Sequence, residues 1–379
     1  MAYYSIFPQK DTTLYSNPDR DAMNTGNDDI IELVKEKGSN DSIYYPSRIL
    51  IKFSDDDIKT AIDKTNKLFT SSLQLFSTEH KNLSQEQLIE VFSLYKSWDE
   101  GTGRYSNLPT SSNGASWIYR DNSTAKTQWL TSSFDAGTTG SINDSTLITK
   151  GGGEWYTGDA FKGSQSFSNA DLLDLNVDVT SIVNQFSSSL YNTGGGISNH
   201  GFIIKNSDYI EENVSSSNGE LQYFSSDTHT IYPPKLTFKW DDSDNSYTDP
   251  SVFNIKTSGE LNVSLYRNKK EYNQNDEALI RLNIRDKYPN RSFVTSSNYL
   301  DTGYFTTASY YSIRDAHTEE VVIPFDDNCT KLSADSEGMY FKLYINGLQP
   351  ERYYRILFKH VNNDGTQIYD DNYHFKVIR

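Results

Sequence analysis

The chain has 379 residues, with 35 basic and 51 acidic side chains and a formal net charge of −16. Its single cysteine excludes an intrachain disulfide framework and a cysteine-based zinc site. An acidic protein repels phosphate backbones, so we expect no nucleic-acid partner, and no apolar run is long enough to predict a membrane span. The first ten residues lack a basic segment followed by an apolar stretch, so no secretory signal peptide is expected.

Short apolar runs bounded by Gly, Asn, Asp or Pro predict a β-sandwich over residues 1–240. The polar loops between the runs vary in length, which is not typical of regular alternating strands and helices. The predicted strands cover residues 11–15, 30–34, 47–53, 73–76, 88–95, 127–130, 201–205, 221–224 and 236–240.

Two short helices are predicted within this β-rich region. The first begins at Ser54, where three acidic residues follow directly and suit the positive end of a helix, and it extends to Leu68. The second follows Asp178 and carries an apolar stripe at helical spacing until Leu190. It ends before the glycine run 194–196, which is typical of a helix stop.

A polar, acidic stretch over residues 241–252 predicts a linker between two domains. Residues 1–252 carry 19 basic and 34 acidic side chains, whereas residues 253–379 carry 16 and 17. Nearly all of the net charge therefore belongs to the first domain and the linker.

Residues 253–379 alternate between apolar and polar side chains in seven runs, which predicts an immunoglobulin-like β-sandwich. The tripeptide Asn363-Asp364-Gly365 predicts a tight hairpin between the last two of these strands, because such turns require positive φ angles. The seven runs cover residues 259–267, 278–285, 310–314, 320–324, 340–345, 353–359 and 373–378.

No motif for an enzyme, a phosphate-binding loop or a dinucleotide-binding loop is present. The adjacent acids Asp99 and Glu100 would face opposite ways on a strand, so they make a poor glycosidase pair. The linker acids lack the Gly and Glu positions of an EF-hand loop. We therefore predict no enzyme activity and no cofactor; a structural calcium ion fits an acidic sandwich loop, but no ligand residues are implied.

The order of short segments in the first domain resembles that of the DNRLRE-type jelly-roll modules, which include carbohydrate-binding β-sandwiches. The most specific piece is the family motif Trp98-Asp99-Glu100-Gly101, which has a structural role there. The other pieces are Asp11–Tyr15, Asn24–Asn27, Arg48–Phe53, Leu73–Phe76, Asp178–Thr180, Asn199–Ile204, Tyr223–Asp227 and Pro234–Phe238. This resemblance implies a jelly-roll fold and glycan binding.

Trp117, Trp129 and Trp155 are the residues that could offer stacking faces to sugar rings in such a module, and Trp98 is a fourth candidate. The alternative is that these rings lie in the core, because large aromatic side chains dominate core energetics.

The second domain resembles virion structural proteins of marine tailed phages, especially cyanophage myoviruses. The segments that carry the resemblance are Tyr310–Asp326, Gly338–Leu343 and Leu348–Phe358. It implies a jelly-roll joined to an immunoglobulin-like domain in a particle that assembles in the host cytoplasm.

These observations lead to a first hypothesis, a non-enzymatic virion structural protein of the neck, tail, baseplate or capsid. We expect its partners to be other virion proteins, with copies of the chain forming a homo-oligomer or ring. The second domain would pack against other subunits, and the acidic first domain would face solvent or a basic partner surface. The alternative is a glycan-binding surface or adhesion module that meets a host glycan.

Overall fold

The computed structural model of the chain describes residues 2–39, 42–65, 68–81, 86–106, 113–123, 126–130, 139–140, 151–168, 173–213, 215–217, 219–244, 246–289 and 302–379. Strands and mostly antiparallel sheets dominate these residues, with three short helices between them. The chain is therefore an all-β protein of the sandwich type, which confirms the predicted class.

The chain forms two compact units. The amino-terminal unit comprises Ile6–Lys64 and Thr70–Thr237, and the carboxy-terminal unit comprises Met1–Ser5, Thr65–Phe69 and Phe238–Arg379. The domain limits predicted above, 1–240, 241–252 and 253–379, stay a prediction, and residue 245 of the linker lies outside the described residues.

The first 17 strands lie between residues 2 and 240. They are β1 (Ala2–Ile6), β2 (Pro8–Tyr15), β3 (Ile30–Leu33), β4 (Lys35–Lys37), β5 (Tyr44–Phe53), β6 (Thr70–Leu75), β7 (Ser77–Lys81), β8 (Gln87–Ser93), β9 (Tyr119–Asp121), β10 (Thr127–Gln128), β11 (Thr139–Gly140), β12 (Trp155–Tyr156), β13 (Lys162–Phe167), β14 (Leu175–Asp178), β15 (Phe202–Asn206), β16 (Glu220–Phe224) and β17 (Lys235–Trp240).

The helices are α1 (Asp55–Lys64), α2 (Thr180–Leu190) and α3 (Asp208–Glu212). The later strands are β18 (Asn254–Ile255), β19 (Leu261–Tyr266), β20 (Glu271–Asn273), β21 (Glu277–Asp286), β22 (Gly303–Tyr304), β23 (Ser309–Asp315), β24 (Val321–Ile323), β25 (Ser333–Asp335), β26 (Gly338–Tyr344), β27 (Tyr353–Asn362), β28 (Gly365–Tyr369) and β29 (His374–Ile378).

A six-stranded antiparallel sheet forms the largest layer of the amino-terminal unit. Its order is β13-β8-β15-β5-β2, with β4 also paired to β5. A second sheet has the order β3-β16-β7, and β6 pairs with β14. Strand β5 is buried on both faces from Tyr45 to Ile51, and its apolar run Ile49–Ile51 lies in this stretch. The polar side chains of Ser47 and Arg48 lie in the same buried stretch.

The two predicted helices are confirmed, with a shorter first helix than expected. Helix α1 has three acidic residues in its first turn, buries Ile58, Ala61 and Ile62, and ends at Lys64 rather than Leu68. Helix α2 buries Ile182, Val183 and Phe186 along one stripe. The strand predicted at residues 88–95 is confirmed as β8, which ends at Ser93 and pairs with β13 on one side and β15 on the other.

Two six-stranded sheets make up most of the carboxy-terminal unit. One has the order β18-β22-β21-β26-β25 with β19 on β21, and the other β20-β29-β27-β23-β24 with β28 on β27. Their inner faces share one hydrophobic core, in which the rings of Tyr311 on β23 and Phe341 on β26 stack 3.9 Å apart. The described part of the predicted seven-strand region contains 12 strands; four of the five additional ones have only two or three residues.

The hairpin prediction at residues 363–365 is right in position and wrong in the strand it leads to. Asn362 pairs with Gly365 across the turn, and Gly365 has a φ of +118°. The turn joins β27 to β28, whereas the last strand, β29, pairs with the start of β27. A two-residue turn brings back the residues that follow it directly, and these were too polar for the alternation rule to identify as a strand.

Tyr354, near the start of β27, donates a hydrogen bond from its hydroxyl to the carbonyl oxygen of Gln349, 2.9 Å away. A tyrosine that bonds back to the backbone a few residues upstream is the corner arrangement of immunoglobulin-like sandwiches. The Tyr354 side chain is buried, with only 2% of its surface exposed. The hydroxyl therefore anchors this corner from inside the unit.

We expect Tyr354→Phe to destabilise the carboxy-terminal unit by about 1–2 kcal/mol, because it removes one buried hydrogen bond and keeps the ring. Urea unfolding measures the loss as a shift of the transition of this unit, followed by near-UV circular dichroism together with tryptophan fluorescence, to which Trp240 of this unit contributes. Tyr288→Phe is the matched control, since Tyr288 is 76% exposed. Equal stability of the two variants would contradict a structural role for the corner.

Candidate functional site

A polar cleft of about 480 Å³ lies in the amino-terminal unit, where β2, β3, β4 and β16 meet residues 104–105. Tyr15 ends β2, and Glu32 on β3 is directly opposite Gln222 on β16 in the antiparallel register. Because side chains alternate along a strand, Glu220 lies on the same face as Gln222. The cleft is lined by Tyr15, Asp28, Asp29, Ile30, Glu32, Val34, Lys35, Glu36, Arg104, Tyr105, Glu220 and Gln222.

The carboxylate of Glu32 is held at both oxygens. The hydroxyl of Tyr15 donates to Oε1 at 2.6 Å, and the side-chain amide of Gln222 donates to Oε2 at 2.9 Å. Burial and the adjacent carboxylate of Glu32 raise the pKa of Tyr15 well above its usual value. Tyr15 therefore remains a neutral donor that orients Glu32 in the wall of the cleft.

Glu36 is held in the same way. The hydroxyl of Tyr105 and the guanidinium of Arg20 each donate to Oε1 at 2.7 Å, and the amide of Asn17 donates to Oε2 at 3.3 Å. Burial raises the pKa of Glu36, and the charge of Arg20 opposes that rise. The rings of Tyr15 and Tyr105 lie 5.3 Å apart, so the two held carboxylates share an aromatic wall.

The lining of the cleft has a net negative charge, because it contains five acidic and two basic residues. Burial raises the pKa of Asp28 to about 6; the charge of Arg104 opposes the rise, and the carboxylates of Glu32 and Asp29 add to it. Burial lowers the pKa of Lys35 to about 8, and its ammonium group donates to the backbone carbonyls of Ile210 and Asn213. The arrangement supplies fixed acceptors and aromatic surface, which is chemistry for binding.

The segment Trp98-Asp99-Glu100-Gly101, predicted above as a family motif, lies in a network of partly buried hydrogen bonds. The indole of Trp98 donates to the carbonyl of His200 at 3.0 Å, and the Lys10 ammonium lies 4.2 Å from the ring centre. Glu100 accepts from the backbone of Asp11 at 3.0 Å. These contacts join residues far apart in the sequence.

Asn24 connects the motif to a second loop. Its amide nitrogen donates to the carbonyls of Glu100 and Ala115 at 2.6 and 2.8 Å, and its oxygen accepts from Gly103 at 2.7 Å. Gly101 has a φ of +79°, and a Cβ atom there would lie 2.4 Å from the Asn24 side chain. The motif thus requires glycine for both conformation and space.

Trp117, Trp129 and Trp155 lie in a hydrophobic core cluster, with exposed fractions of 3%, 2% and 5%. The indole of Trp129 donates to the carbonyl of Ser116 at 2.9 Å. Rings so deeply buried offer no open face to a sugar, which favours the core alternative. The cleft does not include these three residues or the family motif.

Trp117 and Trp155 enclose a buried charge that was not predicted from the sequence. The guanidinium carbon of Arg48 lies 4.5 and 5.1 Å from their ring centres. Arg48 is fully buried and forms two hydrogen bonds to Glu211 on α3, at 3.1 and 2.7 Å. An arginine directly before the apolar run Ile49–Ile51 was the available signal.

Lys205 extends this buried network. Its ammonium lies 2.6 Å from Asp208, 3.6 Å from Glu90 and 3.8 Å from Glu211. The side chains of Lys205 and Glu211 are each about 1% exposed, whereas that of Asp208 is 70% exposed, so the network runs from the interior to the surface. Its members pair with one another, so its role is structural.

Within the part of the chain that the structure describes, no group of three or more His, Cys, Asp or Glu side chains is placed to hold a metal ion. No helix among these residues combines the length and apolar character needed to cross a membrane.

No protein-family model and no curated protein matches the sequence. Among solved structures, a DUF4785 family protein from Legionella pneumophila aligns over 100% of this chain and 68% of its own, with 9% identity and a TM-score of 0.15. The mu homology domain of Fcho1 from Danio rerio was solved with a bound Eps15 peptide. It aligns over 100% of this chain and 92% of its own length, with 8% identity and a TM-score of 0.11. At these scores neither likeness supports a conclusion about this chain.

Proposed function

We propose that the chain is a non-enzymatic structural protein of a tailed-phage virion and acts by contacts with other proteins. The observation that carries the proposal is that two carboxylates of the cleft are held in fixed positions by hydrogen bonds. Glu32 and Glu36 each accept hydrogen bonds at both oxygens from neighbouring side chains. Such fixed acceptors suit recognition of a partner better than transfer of a proton.

The sequence supports the same proposal through the resemblance of residues 310–358 to phage virion proteins. In this proposal the protein assembles in the host cytoplasm with other virion proteins, and copies of the chain form a closed ring or another homo-oligomer. The nearly neutral second domain, residues 253–379, packs against neighbouring subunits, and the acidic first domain, residues 1–240, meets a basic surface or solvent.

Quantitative mass spectrometry of purified particles tests the proposal. The particles come from the phage whose genome encodes the chain, and they are washed in high salt to remove adhering host proteins. We expect the chain at a fixed ratio to the major capsid protein in every preparation. Its absence, or its removal by the salt wash, would reject a structural role.

Glycan binding remains the second candidate, and it gains no support from the buried tryptophans. The cleft is the observation that favours it, because carboxylates beside an exposed part of an aromatic ring can hold sugar hydroxyls. A glycan array probed with the full chain checks this candidate. Binding that Asp28→Asn abolishes would favour it, whereas an array without signal would remove it.

A further inference from the structure

We infer that the cleft receives a cationic side chain, a guanidinium or ammonium group, from a basic segment of a protein partner. That the partner is a protein rests on the proposed function; that the ligand is cationic rests on the cleft itself. Three observations support the inference: the charge of the lining, a guanidinium already held at the rim, and the size of the cavity.

The lining carries more negative charge than its own basic residues balance. The lining has five acidic residues against the two cations Lys35 and Arg104, and a third cation, Arg20, pairs with Glu36 from the rim. One of the two, the Lys35 ammonium, donates to the carbonyls at the end of α3. A cation that enters the cleft therefore meets a net negative wall.

Arg20 shows that the rim can hold a guanidinium group. Its guanidinium carbon lies 4.0 Å from the centre of the Tyr105 ring, and its Nη1 lies 2.7 Å from Glu36. The pair is partly exposed, with 26% and 18% of the side-chain surfaces open. An aromatic face with a carboxylate beside it is the arrangement that binds arginine side chains.

Asp28 is the acidic residue best placed to bind a second cation, in addition to the guanidinium of Arg20. Its Oδ2 accepts from the backbone of Tyr105 at 2.9 Å, so the carboxyl is fixed at the cleft. It is half-buried, and burial raises its pKa; the charge of Arg104 opposes the rise, and repulsion by the carboxylates of Glu32 and Asp29 adds to it. A bound cation would relieve the repulsion, whereas a neutral ligand would not.

The cavity of about 480 Å³ is larger than one arginine side chain needs. It falls in the range of pockets that enclose small ligands, so it can take a charged side chain together with part of the backbone that bears it. This favours a peptide segment over an isolated ion.

The experiment uses the full chain and a fluorescein-labelled peptide that alternates glycine with arginine, followed by fluorescence anisotropy. The matching peptide with glutamate, spermidine and a neutral oligosaccharide serve as comparison ligands. The test variant is Asp28→Asn with Asp29→Asn. Asp56→Asn with Asp57→Asn is the matched control, because it removes two adjacent acids from the exposed first turn of α1 in the same unit.

We expect the arginine peptide to bind, the affinity to fall by about tenfold or more in the cleft variant, and the control variant to bind within about twofold of the wild type. An equal loss in both variants would overturn the inference, as would stronger binding of the glutamate peptide, spermidine or the oligosaccharide. Near-UV circular dichroism verifies that each variant is folded. A negative result in this binding experiment would not change the mass-spectrometry result on virions. The cationic ligand and the virion role can therefore be rejected separately.

Discussion

Replacing Arg48 by methionine is expected to lower the free energy of unfolding of the amino-terminal unit by about 3–5 kcal/mol. The reason is the charge left behind. Glu211 is completely buried, and Arg48 supplies both of its short hydrogen bonds. Without the guanidinium, the carboxylate keeps a contact of 3.8 Å to Lys205 and the weaker attraction of Lys35. The indole rings of Trp117 and Trp155 also lose the planar guanidinium that lies against them.

Urea unfolding followed by tryptophan fluorescence measures this effect, since Trp98, Trp117, Trp129 and Trp155 all belong to the amino-terminal unit. Lys59→Met is the control, because it removes an exposed cation from α1 and should change stability by less than about 0.5 kcal/mol. Arg48→Lys should fall between the two, as lysine keeps the charge but loses the planar fork.

The double variant Arg48→Met with Glu211→Leu separates the pair from the packing around it. We expect its loss to be smaller than the sum of the two single losses, by roughly 2 kcal/mol, because no unpaired charge remains in the pair. Strictly additive losses, or a loss below about 1 kcal/mol for Arg48→Met, would show that the charge pair does not stabilise the unit.

The second large effect concerns pH. Burial raises the pKa of Asp11 to about 7, and the carboxylates of Glu100 and Asp227 add to the rise. In the unfolded chain the same carboxyl releases its proton near its usual pKa of about 3.9. Between these two values the folded state binds more protons than the unfolded state, so the contribution of Asp11 to stability falls as pH rises.

Asp11→Asn should therefore gain stability relative to the wild type as pH rises, by roughly 3 kcal/mol between pH 5 and pH 8.5. The asparagine oxygen can still accept the hydrogen bond that Asp11 receives from the backbone of Ser226 at 2.7 Å. Urea unfolding of both proteins at several pH values provides the comparison. Asp56→Asn, the same change at an exposed site, should show no such trend, and a flat difference for Asp11→Asn would refute the buried ionisation.

Local patterns in the sequence were enough to predict most of the strands and both longer helices. The β-branched run around Ile49–Ile51 and the stripe Ile182–Phe186 of α2 bury the faces that their periodicities indicate. The five-residue helix α3 was missed because a single turn has no periodic pattern. Strand β28 was missed because its residues are mostly exposed.

The charged interior could not be predicted, since its partners are distant in sequence. Arg48 and Glu211 are 163 residues apart, and the Asn24 amide meets Glu100 across 76 residues. The cleft has the same origin, because β3 and β16 lie side by side only in the folded chain. Only a residue whose type does not fit its own segment, such as Arg48 in the buried strand β5, indicates such a contact from the local sequence.

A cryo-electron microscopy reconstruction of the phage particle, with this chain located in it, tests the proposed function most directly. If the chain is a structural virion protein, the map will contain density for both all-β units, repeated by the symmetry of a ring or shell and in contact with neighbouring subunits. A map in which every protein density is accounted for by other chains would contradict the proposal.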